Sequence, residues 1–395
     1  MAHPLHHLRR LSRVAVGTCL AATVGVAGCV SPPSLMAIPS ADRIDAEVRA
    51  AMAQSGALGL AVAVIDDGRV AHVRSFGQRD AAGRPLETNT VMYGASLTKA
   101  LFAAMSMQLV DEGRLSLDGS IADLLPQPLP AYPNERGYGP WRDLAGDERW
   151  RQLTPRILLS HRAGFANFAF LEPDGKLRLH FEPGSRYAYS GEGLILLQFV
   201  LERGLALDVG QAMQSRVFER FGMGRTSMTW REDFAANAAD GFDAAGTQRP
   251  PARNRRVRAA GSMDTTIDDF AVFAAGFMRG EGISAASRRE MLRAQAPITT
   301  ASQFPTLQPE LPVERRRPSL GAGLGVITFT GAQGPGFFKG GHDDFTANTW
   351  VCIERGRRCV VLLSNDVRAE AVFPRLVTFI LGDAGVPWTW EYAGE

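Results

Sequence analysis

The sequence predicts an α/β protein of the α+β type: an antiparallel sheet flanked by terminal helices, with an inserted, mostly helical lobe. Three observations predict it. Strand-like runs cluster near both ends of the 395-residue chain, at 60–76 and again between 324 and 364. The stretch between, about 115–258, alternates short helical patterns with Pro/Gly-rich loops such as 126–140. Helical periodicity brackets the whole, at 41–55 and at 368–381. One sheet completed from both ends requires those ends to meet in space, and the cleft between sheet and insert is the default place for a site.

The elements follow in order. A basic start (His6, His7, Arg9, Arg10, Arg13), an apolar run over 14–27 and Val26-Ala27-Gly28-Cys29 read as an export signal over 1–29. The tetrapeptide resembles a bacterial lipoprotein cleavage box. Lipidation of Cys29 would anchor the protein to a membrane surface through a Ser/Pro tether over 30–40, leaving a folded domain over 41–385 outside the cytoplasm. An ordinary signal-peptidase cut, with Cys29 removed or incidental, stays open. Ile44, Val48 and Met52 recur every four residues and predict the first helix. The runs 60–65 and 70–76 around Asp66-Asp67-Gly68 read as strand, turn, strand. A helix over 96–112 places Leu97, Leu101, Met105 and Leu109 on one stripe and Ser96 in its first turn. Late strands are expected at 324–330, 348–354 and 359–364.

Cys352 and Cys359 flank a hairpin turn. A turn centred on Arg355-Gly356 would set them directly opposite and allow a disulfide; one at Gly356-Arg357 would not. None of the seven histidines falls in His-Glu-x-x-His spacing, and two cysteines do not make a zinc site, so neither a metal nor another cofactor is expected. A net charge of +2 is too mild for a nucleic-acid partner; Arg253-Asn254-Arg255-Arg256 and Arg315-Arg316-Arg317 read as solvated loops. The sequence leaves the oligomeric state open.

Three lysines stand among 43 lysines and arginines, and two of them, Lys99 and Lys339, lie in chemically suggestive motifs. A chain that has replaced nearly every other lysine by arginine keeps one where a group must deprotonate or act as a compact charge. In Ser96-Leu97-Thr98-Lys99 the helical spacing sets the amine beside the hydroxyl, where it can take the proton of a nucleophile. Tyr187-Ala188-Tyr189-Ser190-Gly191 offers a phenol. Held near two amines, a phenol has its anionic form favoured and can relay a proton. Phe338-Lys339-Gly340-Gly341-His342, just before a late strand, joins a cation to glycines that admit a substrate backbone. His161 reads as a loop tie, and Trp141 and Trp150 as a cleft rim or a loop packed on its own lobe.

Together these motifs resemble the serine β-lactamase-related family: class C β-lactamases, penicillin-binding DD-peptidases, D-aminopeptidases and β-lactamase-like esterases. Ser96–Lys99 matches Ser-x-x-Lys, Tyr189-Ser190-Gly191 stands for Tyr-x-Asn, and Lys339-Gly340-Gly341 for Lys-Thr-Gly. Leu158–Gly164, Pro183-Gly184, Phe221-Gly222-Met223 and Ala259–Met263 match in the family's order. The resemblance spans about 41–381 and implies a β-lactamase/transpeptidase-like fold.

It further implies that Ser96 is the acylated nucleophile, Lys99 its activator, and Tyr189 the relay to the leaving group. Lys339 would polarise Tyr189 and meet a substrate carboxylate. The backbone amides of Ser96 and His342 would form the oxyanion hole, with Gly340, Gly341 and Gly191 facing substrate. Two departures bear on specificity: Gly191 replaces an asparagine that would bind a substrate's acylamino group, and Gly340 replaces a threonine hydroxyl. The function expected is an exported serine hydrolase acting on amide bonds of D-amino-acid or peptidoglycan-like peptides, its partner a small-molecule or peptide substrate. The alternatives are a carboxylesterase on small acyl esters, a weak β-lactamase, or a catalytically silent envelope binding protein. A Ser-His-Asp hydrolase is disfavoured, because Gly94-Ala95-Ser96-Leu97-Thr98 fails the Gly-x-Ser-x-Gly elbow at its last position.

Overall fold

The computed structural model describes residues 35–392. Cys29, the signal segment 1–29 and tether positions 30–34 lie outside the described residues. Helix α1 (Ala41–Ser55) leads into strands β1 (Gly59–Asp66) and β2 (Arg69–Gly77). The sheet is completed late in the chain by β3 (Ala296–Pro297), β4 (Gly321–Ala322), β5 (Ile327–Gly331), β6 (Gly334–Asp343), β7 (Thr346–Ile353) and β8 (Arg358–Ser364). Its eight strands run in the order β2-β1-β8-β7-β6-β5-β4-β3, each neighbouring pair antiparallel. The early hairpin joins the late strands through β1–β8, in register from Leu60 opposite Ser364 to Ile65 opposite Cys359.

Strand parity divides the core in two. Ala61, Ala63 and Ile65 face the cluster built around α2 (Leu97–Asp111) and α4 (Ile267–Met278), with α3 (Gly191–Gly204) in the same cluster. Leu60, Val62 and Val64 face Ile44 and Val48 of α1 and Phe373, Leu376, Val377 and Ile380 of α5 (Phe373–Leu381). With both faces of β1 covered, its sequence is a continuous apolar run rather than an alternating one.

Several expectations need adjusting. Helix α2 is buried on every side from Leu97 to Leu109, not along one stripe, because it passes through the middle of its cluster. Of the run expected at 324–330, residues 324–326 form the connection from β4, and the strand, β5, begins only at Ile327. The last helix begins as a 3-10 segment, Val367–Val372, and becomes α-helical only at Phe373, where Pro374, which has no N–H, fits the first turn. Besides α3, the middle segment consists of 3-10 turns and short helices with a two-residue ladder, Gly241–Phe242 against Gln248–Arg249, and it packs with the sheet into one unit from Leu35 onward. Trp141 and Trp150 are core residues, each 1% exposed, and not a rim.

The β7–β8 hairpin sets Cys352 opposite Cys359, and the two form a disulfide with Cα atoms 4.1 Å apart. The connection is centred on Arg355-Gly356 but uses four residues, 354–357, rather than two.

Candidate active site

A cavity of about 360 Å³ opens between the start of α2, the loop before α3, the segment 258–261 and β6. Ser96, Lys99, Tyr189, Lys339, Gly340, Gly341 and His342 all line it.

Ser96 caps the start of α2, where amide groups favour developing negative charge. Ala95 before it holds a positive φ of 45°, a sharp turn that an L-residue adopts only when its surroundings enforce it. That turn is tied down: Gly94 N–H donates to Met263 O at 2.8 Å, Thr98 Oγ1 donates to Ala95 O at 2.6 Å, and Met263 N–H donates to Thr98 Oγ1 at 3.2 Å. The Ser96 N–H has no hydrogen-bond acceptor among the described residues.

Lys99 Nζ stands 2.8 Å from Ser96 Oγ and donates to the Ala260 carbonyl. It has no carboxylate partner among the described residues and is 1% exposed. Burial, reinforced by the charge of Lys339, drives its pKa well below the ordinary lysine value, which favours the neutral amine that can act as a base. The Ala260 carbonyl is a site group that motif reading did not single out; the signal was the Ala259–Met263 match itself.

Tyr189 Oη donates to Ser96 Oγ at 2.8 Å. Both lysine nitrogens lie over its ring, 5.0 and 5.1 Å from the centroid. The phenolate form is nevertheless disfavoured, contrary to expectation: burial raises the Tyr189 pKa more than the Ser96 hydrogen bond lowers it. Tyr189 is therefore a neutral hydroxyl that can donate and accept. His161 positions it. The His161 ring, made neutral by burial, lies 4.5 Å from the Tyr189 ring, accepts the Ser190 N–H at Nδ1 at 3.1 Å, and offers its carbonyl to Ala188 N–H.

The Lys-Gly-Gly motif is itself strand, the second half of β6, rather than a loop ahead of one. Partner β5 stops at Phe338, so 339–343 pair with β7 alone and leave a free edge. Lys339 and Gly341 face α2: a Cβ on Gly341 would lie 2.9 Å from Leu97 N and 3.1 Å from Ser96 N, an approach only glycine permits. Gly340 and His342 share the opposite parity, so the His342 N–H points the same way as the Gly340 carbonyl, which accepts from Lys339 Nζ at 2.6 Å. Lys339 has its pKa lowered to about 8 by burial, against the opposing pull of Glu391. The His342 side chain pairs with Glu370 at 2.7 Å, which raises its pKa and occupies it away from Ser96.

Gly191 does not line the cavity. It opens α3 with its N–H on Asn167 Oδ1 at 2.8 Å, and a Cβ there would strike the Phe168 ring at 2.5 Å. Asn167 and Phe168 hold that wall instead. A side-chain amide is thus present where the sequence implied its loss, supplied from a loop 24 residues upstream of Gly191. The glycine in place of asparagine was the only available hint. Phe168 stacks on Phe170 at 5.3 Å, and Phe170, 71% exposed, forms an aromatic lip. Also missed was Glu391, which reaches the cavity from the short helix α6 (Trp388–Glu391).

Residues 44–381 match the Beta-lactamase family model. The chain belongs to that family. Its relatives include the lovastatin esterase of Penicillium rubens, 27% identical over 225 residues, covering 50% of this chain and 56% of that protein. Esterase EstB of Burkholderia gladioli is 27% identical over 217 residues, covering 48% and 52%. These matches span only about half the length of the curated relatives. Among solved structures, an octameric penicillin-binding protein homologue from Pyrococcus abyssi superposes with a TM-score of 0.67 at 18% identity, covering 87% of this chain and 78% of that one. The D-alanine carboxypeptidase AmpC of Burkholderia cenocepacia gives 0.64 at 16% identity, covering 87% and 98%. At such identities these superpositions speak for the fold, the β-lactamase/penicillin-binding-protein architecture that the motifs implied. Family membership makes the chain a serine β-lactamase-family hydrolase, with esterases, an acyltransferase and penicillin-binding proteins among its relatives.

Proposed function

We propose that this chain is a serine carboxylesterase that forms an acyl-enzyme at Ser96. The observation that carries the reading is the buried Lys99 amine 2.8 Å from Ser96 Oγ, its pKa pushed well down by burial, with Tyr189 Oη donating to the same oxygen. Lys99 Nζ takes the Ser96 proton as Oγ bonds to the acyl carbon, and the carbonyl electron pair moves onto oxygen. The N–H groups of Ser96 and His342 receive that oxyanion; each such donor contributes about 3 kcal/mol to the transition state. As the ester C–O bond breaks, Tyr189 gives its proton to the leaving alkoxide and recovers one from Lys99. Water then adds to the acyl-enzyme with the same groups in reverse order, and free acid leaves.

An ester is favoured over the D-peptide amide expected from sequence for three reasons. Gly340 offers no hydroxyl for a terminal carboxylate. Lys339 spends a hydrogen bond on the Gly340 carbonyl. The wall and lip at Phe168, Phe170 and Phe304 are aromatic, which suits an apolar acyl chain. The named activities of two relatives are also esterases. The D-peptide amidase remains a second reading on one observation, the Asn167 amide facing the cavity. Hydrolysis of a short-chain aryl ester, set against a D-Ala-D-Ala peptide and repeated with Ser96→Ala, separates the two. Ester turnover that needs Ser96 supports the esterase. Peptide turnover without ester turnover would replace it by the amidase.

We also propose that the protein works outside the cytoplasm, anchored through lipidated Cys29. The Cys352–Cys359 disulfide supports an oxidising compartment. Loss of membrane-fraction protein in Cys29→Ala is the expected outcome, and unchanged fractionation would contradict it. Among the described residues no helix is long and apolar enough to cross a membrane.

A further inference from the structure

We propose that the Glu391 carboxylate fills the subsite in which Lys339 would otherwise meet a substrate carboxylate, so that this chain selects substrates with an uncharged leaving group and rejects those that carry a carboxylate there. The inference rests on the esterase reading above and adds the substrate class.

Gly340 and Glu391 are complementary. A Cβ on Gly340 would sit 2.1 Å from Glu391 Oε1 and 3.2 Å from its Cδ, so the carboxylate occupies the space that a threonine in the family motif would use. The residue that could help hold a substrate carboxylate is therefore missing, and a carboxylate built into the protein stands in its place. Glu391 is buried at 6% exposure, lines the cavity with Ser96 and Lys339, and leaves Oε2 without a hydrogen-bond partner among the described residues. It is firmly placed: the neighbouring Trp390 is fully buried, donates from Nε1 to Thr300 Oγ1 at 3.1 Å, and accepts the Gln303 N–H at its carbonyl at 2.8 Å.

Burial raises the Glu391 pKa, and the charges of Lys339 and His342 oppose that rise; with Glu391 ionised, the charges on this wall balance. Lys339 and His342 face Glu391 and Glu370, with His342 paired directly to Glu370. A substrate carboxylate would enter as a third anion against two cations, in a cavity that screens charge poorly. Glu391 also lies beyond the family-matched span 44–381, so family motifs carry no trace of it.

The test is a matched pair of aryl acetates that differ only on the leaving group: 3-carbamoylphenyl acetate and 3-carboxyphenyl acetate, equal in reach and different by one negative charge. Wild-type protein should favour the neutral ester in kcat/KM by about tenfold or more. In Glu391→Gln that ratio should fall at least severalfold, whatever happens to the absolute rates. Ser96→Ala assigns the turnover to Ser96. A wild-type ratio near or below one would overturn the proposal without needing a variant, and would turn attention to Arg258, another cation lining the cavity. A high ratio unchanged in Glu391→Gln would overturn the role of Glu391. Wild type that hydrolyses neither ester would defeat the esterase reading, and this inference with it; wild type that hydrolyses both equally defeats this inference alone.

Discussion

Two walls of one cavity carry the same residue type under the same degree of burial and put it to different uses. At the start of α2, Lys99 is 1% exposed and meets a serine hydroxyl and a backbone carbonyl. On the free edge of β6, Lys339 is 3% exposed and has Glu391 nearby. Desolvation disfavours the charged form of both. The difference is in the neighbouring charges: Glu391 opposes that effect at Lys339, whereas the charge of Lys339 reinforces it at Lys99. A neighbouring carboxylate at one lysine and a neighbouring ammonium at the other thus separate a cation, charged up to near pH 8, from a proton acceptor.

Replacing each lysine by arginine should break that comparison most visibly. Lys99→Arg cannot deprotonate and should lower kcat/KM for an aryl ester by about 10³-fold or more, the scale of losing a nucleophile's base. Lys339→Arg keeps the charge and should cost about tenfold, mostly through poorer fit. Equal losses in steady-state kinetics would mean that the two lysines do the same job.

The pH profile sharpens the contrast. Activity should fall on the acid side as Lys99 becomes protonated, and on the alkaline side as Lys339 loses its proton near pH 8. Because Glu391 raises the Lys339 pKa, Glu391→Gln should move the alkaline limb to lower pH by roughly a unit. An alkaline limb that stays put or moves upward would show that Lys339 is not the group reported there.

How far the sequence foretold these walls differs between them. Ser96 and Lys99 were readable because helical spacing alone brings them together, and Ile44, Val48 and Met52 marked α1 by the same periodicity. Strand β6 was not, since Gly340 and Gly341 erase the side-chain alternation that marks a strand. They are there because a Cβ on either would meet Glu391 or the Ser96 turn. Glu391 and Asn167 have no motif at all. Each reaches the cavity through tertiary packing, and local pattern carries no record of a contact with a residue 51 positions away, as from Gly340 to Glu391.

Stability offers a smaller effect of defined sign. The folded-state pKa of Lys99 is depressed, so the unfolded chain binds its proton more tightly. Below the unfolded value of about 10.4 this costs stability, and the cost fades as pH rises towards that value. Lys99→Met should therefore abolish activity while raising Tm at pH 7 by about 2 °C. A lower Tm in calorimetry would mean that the amine's contacts outweigh its desolvation. The smallest effect on activity is expected from the distant hairpin. Removing the Cys352–Cys359 bridge, which closes a loop of sequence separation 7, should cost about 2 kcal/mol in denaturant unfolding and leave ester kinetics within twofold.

The central claim is a covalent acyl-enzyme on Ser96 raised by a neutral Lys99. Intact-mass spectrometry of the protein quenched within seconds of mixing with a 4-nitrophenyl ester tests it most directly, with peptide mapping to locate the adduct. A single acyl mass on Ser96, absent in Ser96→Ala and in Lys99→Arg, is the predicted result. Hydrolysis that continues in Ser96→Ala, or an acyl group mapped to another residue, would contradict it.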